Sequence, residues 1–196
     1  MRDEIDHDPD RRPGGKPRRQ RKARPLDRAG LEELALAYVA RFATSEAKLA
    51  AYLARKLRER GWAGEDEAFP DVPALARRYA ELGYVDDEAY AQARSSGLLR
   101  RGYGPRRVTQ ALYAAGIGEQ HREAASPSDG SARRAALVMA RKRRFGPFGG
   151  ERPDPASRER QIAAMIRAGH RLDNAREIVD AVSIEAAEEW AGRPCE

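Results

Sequence analysis

Cysteine and histidine, which carry much of enzymatic and metal chemistry, are nearly missing: 196 residues include one cysteine and three histidines. A lone Cys195 excludes an internal disulfide and fits a reducing compartment. His7, His121 and His170 have no ligand-spaced partners, which argues against a zinc site. Aromatic residues make up 7% of the chain against 35% charged, a balance that favours a slender, surface-rich architecture. No apolar run is long enough to span a bilayer, and the first residues are too polar for a secretory signal. A cytoplasmic protein is expected. Strand-like alternation of Val, Ile and Thr is also scarce.

What remains is rich in Ala, Leu, Arg and Glu, all good helix formers, so the expected class is all-α. Charge is spread unevenly around a net +6. Asp3, Glu4, Asp6, Asp8 and Asp10 come first. Residues 11–24 then hold eight basic residues and no acid. From Asp173 onward, seven acids accompany two arginines. Such asymmetry points to a polyanionic partner or an acidic protein surface; a solubilising charge pattern is the plain alternative. Residues 1–28 have too little apolar surface to offset their ordering entropy. A disordered charged arm is expected there, its basic half suited to nonspecific nucleic-acid binding through counterion release.

The spacing predicts a helix over 31–42 with Leu31, Leu34, Tyr38 and Phe42 on one face. Thr44 or Ser45 caps a second, in which Leu49, Leu53 and Leu57 recur before Gly61. Asp71 caps a third, closed by Gly83. The same order of signals returns: Asp86 or Asp87 to about Arg101, Pro105 to Gly116, and a short helix near 119–125. After a linker at 126–130 comes a third round. A helix over 131–144 has Leu137 and Val138 inward, one over 156–168 has Ile162, Met165 and Ile166 inward, and another covers 172–182. An acidic helical turn or two follows. The middle helices end alike, in Leu57 then Gly61, Leu112 then Gly116, and Ile166 then Gly169. This is an internal repeat of roughly 50 to 55 residues. It implies units over 29–83, 84–126 and 127–196, too small to bury their faces alone and therefore stacked in a row. The expected product is an elongated, monomeric tandem of three three-helix repeats.

Between Ala89 and Gly118 lie five arginines and no acid. Asp86 and Asp87 read as helix caps rather than a catalytic pair. Ser95 and Ser96 lack the glycine-framed elbow of a hydrolase. The Gly102-Tyr103-Gly104-Pro105 turn lacks the lysine and hydroxyl of a phosphate loop. No catalytic, cofactor-binding or metal-binding residue is therefore expected, and no small-molecule substrate. Arg100, Arg101, Arg106 and Arg107 flank that one turn and must lie close in space. Arg106 and Arg107 open a helix, where the dipole disfavours cations, which suggests a use beyond stability. Tyr103 suits stacking on a base or anchoring in an interface; burial against a neighbouring helix is equally compatible. Arg141, Lys142, Arg143 and Arg144 form a second basic set at a helix end, where the dipole favours them. With Arg94, these are the candidate partner-binding residues.

At these positions the chain resembles the RecX family of regulatory proteins. The resemblance rests on Gly83-Tyr84-Val85-Asp86-Asp87, on Arg100 to Val108 (RRGYGPRRV), and on Leu112 with Gly116-Ile117. Arg41, Ser45 and Leu49 are similar to the family's first repeat. Arg144-Phe145-Gly146 and Ile166 to Gly169 are similar to its third. Where the family usually has Arg-Gly-aromatic, this chain has Ala168-Gly169-His170. The likeness covers about 31–182 and leaves out the arm. It implies tandem three-helix repeats, and a protein that binds the RecA filament and its DNA along the filament groove. It also implies inhibition of ATP hydrolysis, strand exchange and coprotease activity. On the residues alone, a stand-alone nonspecific DNA-binding protein stays open as the alternative. A nuclease would need a metal-binding carboxylate cluster or a histidine arrangement that the sequence does not show.

Overall fold

The computed structural model describes residues 24–64 and 68–194, and among them the chain is all-α. Helices α1 (Arg28–Arg41), α2 (Glu46–Arg60) and α3 (Val72–Glu81) enclose a first buried cluster that includes Leu31, Leu49, Leu53 and Tyr79. Helices α4 (Asp87–Arg100), α5 (Pro105–Tyr113) and α6 (Glu119–Ala124) enclose a second, with Leu98, Val108, Leu112 and Ile117. A third lies among α7 (Asp129–Arg143), α8 (Pro155–Arg167), α9 (Leu172–Asp180) and α10 (Ile184–Gly192), and holds Met139, Ile162, Met165 and Ile178. Burying such side chains is worth about 1.5–3 kcal/mol each. No described helix is long and apolar enough to cross a membrane.

The helix starts follow from short polar side chains. Asp27, Ser45, Asp71, Asp86, Ser128, Asp154 and Ser183 each accept a backbone N–H from the first turn of the helix they open. Each such cap contributes about 1 kcal/mol.

Several expected faces are turned differently. Phe42 is 51% exposed, because it caps α1 in extended backbone and its side chain leaves the helical face. Tyr38 instead stacks on Tyr52, with ring centroids 4.1 Å apart. Leu137 and Val138 are only half-buried, and the inward face of α7 is Ala132, Ala135, Ala136, Met139 and Ala140. Small residues are needed there because α7 packs against α4, α9 and α10 at once. Ile166 is 36% exposed while Met165 is buried. Helix α7 begins inside the expected linker, at Asp129, and the acidic end forms a full helix, α10. A 3₁₀ turn at Gly146–Gly149 interrupts the expected loop.

Most of the expected arm lies outside the described residues, but its boundary at 28 moves. Leu26 is 1% exposed and its N–H donates to the Gly61 carbonyl at 2.9 Å. The Ala63 N–H donates back to the Leu26 carbonyl at 2.8 Å. This short bridge seals the C-terminal end of α2.

The units meet end to end through their second helices. At the junction of the second and third units, the Gly104 N–H donates to the Ala168 carbonyl at 3.0 Å. The Arg106 N–H donates to the Gly169 carbonyl at 3.1 Å. A Cβ on Gly104 would lie 2.3 Å from the Gly169 carbonyl, so no side chain fits there. His170 is fully buried in the same seam, with its Nε2 3.0 Å from the Gly102 carbonyl. A carbonyl only accepts, so Nε2 carries the proton and Nδ1 is bare, with no partner among the described residues. The first junction repeats the plan: the N-terminus of α2 faces the C-terminal end of α5. Ser45 Oγ donates to the Ala115 carbonyl at 2.5 Å, and a Cβ on Gly116 would lie 2.2 Å from Ala47 Cβ. Asp87 reaches across and accepts the Glu46 N–H at 2.9 Å, so one aspartate caps its own helix and its neighbour caps a helix of the preceding unit.

Two expectations follow. Gly104→Ala should destabilise by about 1–3 kcal/mol through overpacking, seen as a lowered Tm. Gly97→Ala in α4, where a Cβ meets open space, should raise stability by up to about 1 kcal/mol. Equal effects of the two would rule out the tight seam. Burial holds the His170 pKa below its ordinary 6.5. The unfolded chain therefore binds a proton that the folded chain rejects, so stability is full above that value and falls as pH drops through it. Chemical denaturation from pH 7.5 to 5 should show this loss, and His170→Phe should remove it. An identical slope in both chains would exclude His170 as its source.

Candidate functional site

The turn between α4 and α5 is built to present Tyr103. The Gly102 N–H donates to the Leu99 carbonyl and the Tyr103 N–H to the Leu98 carbonyl, which reverses the chain at once after α4. The seam with α8 then pins the turn from behind. Tyr103 is 37% exposed, and the guanidinium groups of Arg101 and Arg107 each lie 5.9 Å from its ring centroid. Arg101 is steadied by its Nε, which donates to the Gly97 carbonyl at 3.1 Å.

These residues form one wall of a groove of about 540 Å³ that also takes in Lys48, Arg94, Leu98, Gln110 and Ala111. Among the described residues, no acid lines it, and none of Arg94, Arg100, Arg101, Arg106 and Arg107 pairs with a carboxylate. Lys48 comes from α2 of the first unit and donates to the Tyr90 hydroxyl at 2.8 Å. Stacking of the units thus adds Lys48 to a groove whose other lining residues belong to the second unit.

A second groove, of about 670 Å³, shares Lys48 and Arg94 with the first. Its walls are largely apolar and aromatic, with Val39, Phe42, Tyr84 and Tyr90. Phe42 and Tyr84 are more than half exposed there. The acid on its lining, Asp86, already accepts the Ala89 N–H.

The sequence-predicted residues separate on this geometry. Arg94, Arg101, Tyr103 and Arg107 come together in the groove, while Arg100 and Arg106 are exposed beside it and outside its walls. Lys142 joins the turn, donating to the Arg101 carbonyl at 3.3 Å. Arg141 turns away, pairing with Glu188 and lying 5.8 Å from the Phe148 ring centroid. Arg143 and Arg144 are exposed, with Arg144 in left-handed backbone at φ 54° as the α7 C-cap.

The dipole at the start of α5 opposes Arg106 and Arg107 less than an open helix end would. The opening N–H groups of α5 are bonded to carbonyls at the end of α8, so this helix start adjoins a partial negative charge. Arginines there are electrostatically comfortable without a partner molecule. Lys48 and Gln110 escaped sequence reasoning. Lys48 reads as an ordinary solvated lysine of an amphipathic helix. The one available signal is register: Lys48 lies three residues after its N-cap Ser45, as Arg107 lies three after Gly104.

No group of three or more His, Cys, Asp and Glu among the described residues is disposed to hold a metal ion. The arrangement offers no nucleophile with its base, only fixed positive charge beside exposed aromatic rings. That combination suits polyanions whose units carry a flat face.

Comparison with known proteins agrees with the fold and adds a family. Residues 86–125 match the model of the RecX second three-helix domain. Two crystal structures share the fold. RecX from Lactobacillus salivarius has a TM-score of 0.58 at 16% identity, over 75% of this chain and 90% of that one. A second regulatory protein RecX also gives 0.58, at 20% identity, over 77% of this chain and 70% of that one. A regulatory protein RecX of Thermus thermophilus is 38% identical over 56% of this chain and 71% of its own length. That of Myxococcus xanthus is 33% identical over 91% of this chain and 97% of its own length. A likeness of that identity along nearly the whole of both chains, with the matching domain model and fold, means that this protein belongs to the RecX family of regulatory proteins.

Proposed function

We propose that the protein is a non-enzymatic regulator of the RecA recombinase, acting in the cytoplasm as a monomer. It binds the RecA–DNA filament and restrains ATP hydrolysis, strand exchange and coprotease activity. The family supports regulation. The observation that carries the contact is the acid-free groove of Lys48, Arg94, Arg101, Tyr103 and Arg107.

Cations without carboxylate partners keep their charge available for phosphates, and each phosphate neutralised releases counterions. Tyr103 offers a stacking edge beside them. The exposed Arg100, Arg106, Lys142, Arg143 and Arg144 widen the field around the groove. A filament presents the same surface at regular intervals, and a stacked row of units presents several weak contacts at fixed spacing. Such contacts add through effective concentration. The protein needs no cofactor for this.

The test is RecA ATP hydrolysis on single-stranded DNA. The fourfold variant Lys48→Glu, Arg94→Glu, Arg101→Glu and Arg107→Glu should keep its helical circular dichroism and lose inhibition by on the order of a hundredfold, since charge-pair losses of this kind cost about 2–5 kcal/mol or more. Unchanged inhibition would remove the groove from the function. Tight, steeply salt-dependent DNA binding by a wild-type chain that leaves RecA unaffected would instead favour a stand-alone DNA-binding protein.

A further inference from the structure

We propose that the acidic stretch at residues 3–10 docks, within the same chain, into the paired grooves at Lys48 and Arg94. There it competes with the polyanion that the basic groove takes. The inference rests on the groove being a polyanion site. It adds that the chain carries its own competitor.

The two grooves meet at Lys48 and Arg94, so cations separate an apolar half from a basic half. A matching occupant has an apolar residue set among acids. Residues 3–10 read Asp-Glu-Ile-Asp-His-Asp-Pro-Asp, with Ile5 amid five carboxylates. Ile5 fits the uncovered surface of Phe42 and Tyr84, and the carboxylates fit Lys48, Arg94 and the arginines beyond. Among the described residues, Asp86 is the only opposing charge on that wall, and helix capping already engages it.

The reach is ample. Arg60 Nε donates to the Arg24 carbonyl at 2.8 Å, which ties the chain to the C-terminal end of α2. Lys48 lies twelve residues back along the same helix, about 18 Å away. Residues 11–23, when extended, span up to about 43 Å. A tether of this kind gives the acidic stretch an effective concentration on the order of millimolar. Weak docking is then enough, and a true polyanion with more charge displaces it. The basic run at residues 11–23 travels with the acidic stretch, so displacement also frees a second cationic segment for the same polyanion.

Two measurements on the full chain decide the matter. A photo-reactive benzoylphenylalanine in place of Ile5 should cross-link to peptides containing Phe42, Tyr84 or Arg94, and oligothymidine should suppress that product. Cross-links confined to residues 11–23 mean that the acids pair with the neighbouring basic run, and they overturn the proposal. The neutralised chain (Asp3→Asn, Glu4→Gln, Asp6→Asn, Asp8→Asn and Asp10→Asn) should bind oligothymidine on the order of tenfold more tightly. That gain should vanish when Lys48, Arg94, Arg101 and Arg107 are also changed to Gln. An equal gain in both backgrounds shows an effect of net charge alone and overturns the competition. If no chain binds oligothymidine, the polyanion reading of the groove fails, and the cross-link by itself decides the docking.

Discussion

At the seam between the second and third units, the first peptide groups of α5 meet the last carbonyls of α8 with nothing in between. An isolated helix leaves about four N–H groups unpaired at its N-terminus and about four carbonyls at its C-terminus, with about half a positive charge at the first and half a negative charge at the second. Joining an N-terminus to a C-terminus satisfies both needs at once. Gly104 and Gly169 are the condition for it, since a Cβ on Gly104 would enter the backbone of Gly169, and one on Gly169 that of Arg107. The first junction reaches the same end with side chains, through Ser45 and Asp87. The row also closes itself. At one end, Leu26 bridges to Gly61 and Ala63. At the other, Asp154 accepts N–H groups from Ala156 and Ser157, and the Ser157 hydroxyl holds its carboxylate below the usual pKa.

The stacking that unites the units also builds the site. Lys48 reaches the groove because α2 is held against the second unit, and the turn that sets Arg101 and Arg107 against one ring is backed by Ala168, Gly169 and His170. Gathering cations in one groove costs repulsion, damped beyond about 8 Å at physiological ionic strength. Cation–π contact with Tyr103, about 0.5–1 kcal/mol at an exposed site, offsets part of it. Aromatic surface is used here in place of carboxylates. An ion pair would have held the arginines equally well and cancelled the charge that the groove offers.

Helix starts and stops were legible because their causes are local. Asp71, Asp86 and Ser45 cap through their own side chains, and Gly61, Gly116 and Gly169 take positive φ after the helices they end. The turn's basic character was legible too, since Arg101 and Arg107 are six residues apart. Facing was less so. A period of 3.6 marks Phe42 as inward, but extended backbone at a helix end turns it outward. Leu137 and Val138 outrank alanine on any hydrophobic scale, yet the face that three helices crowd is mostly alanine, with Met139. Lys48 and Tyr90 lie 42 residues apart, and no local pattern records that they touch. The lack of ligand-spaced partners says nothing of the burial of His170, which depends on a turn 68 residues away.

The junctions also settle what kind of anion recognition is open to the molecule. A helix N-terminus ordinarily offers backbone N–H groups to a phosphate. Here the start of α2 is taken by Ser45 and Asp87, that of α5 by carbonyls of α8, and that of α8 by Asp154. Each of the three second helices thus has opening donors already engaged within the chain. An anion in the groove would therefore meet side chains of lysine and arginine. Such contacts follow the charge and spacing of a backbone more than the identity of any one base. They tolerate displacement along a strand, because long side chains re-aim where backbone cradles do not. The proposed function, contact with DNA of any sequence within a protein filament, calls for that form of recognition.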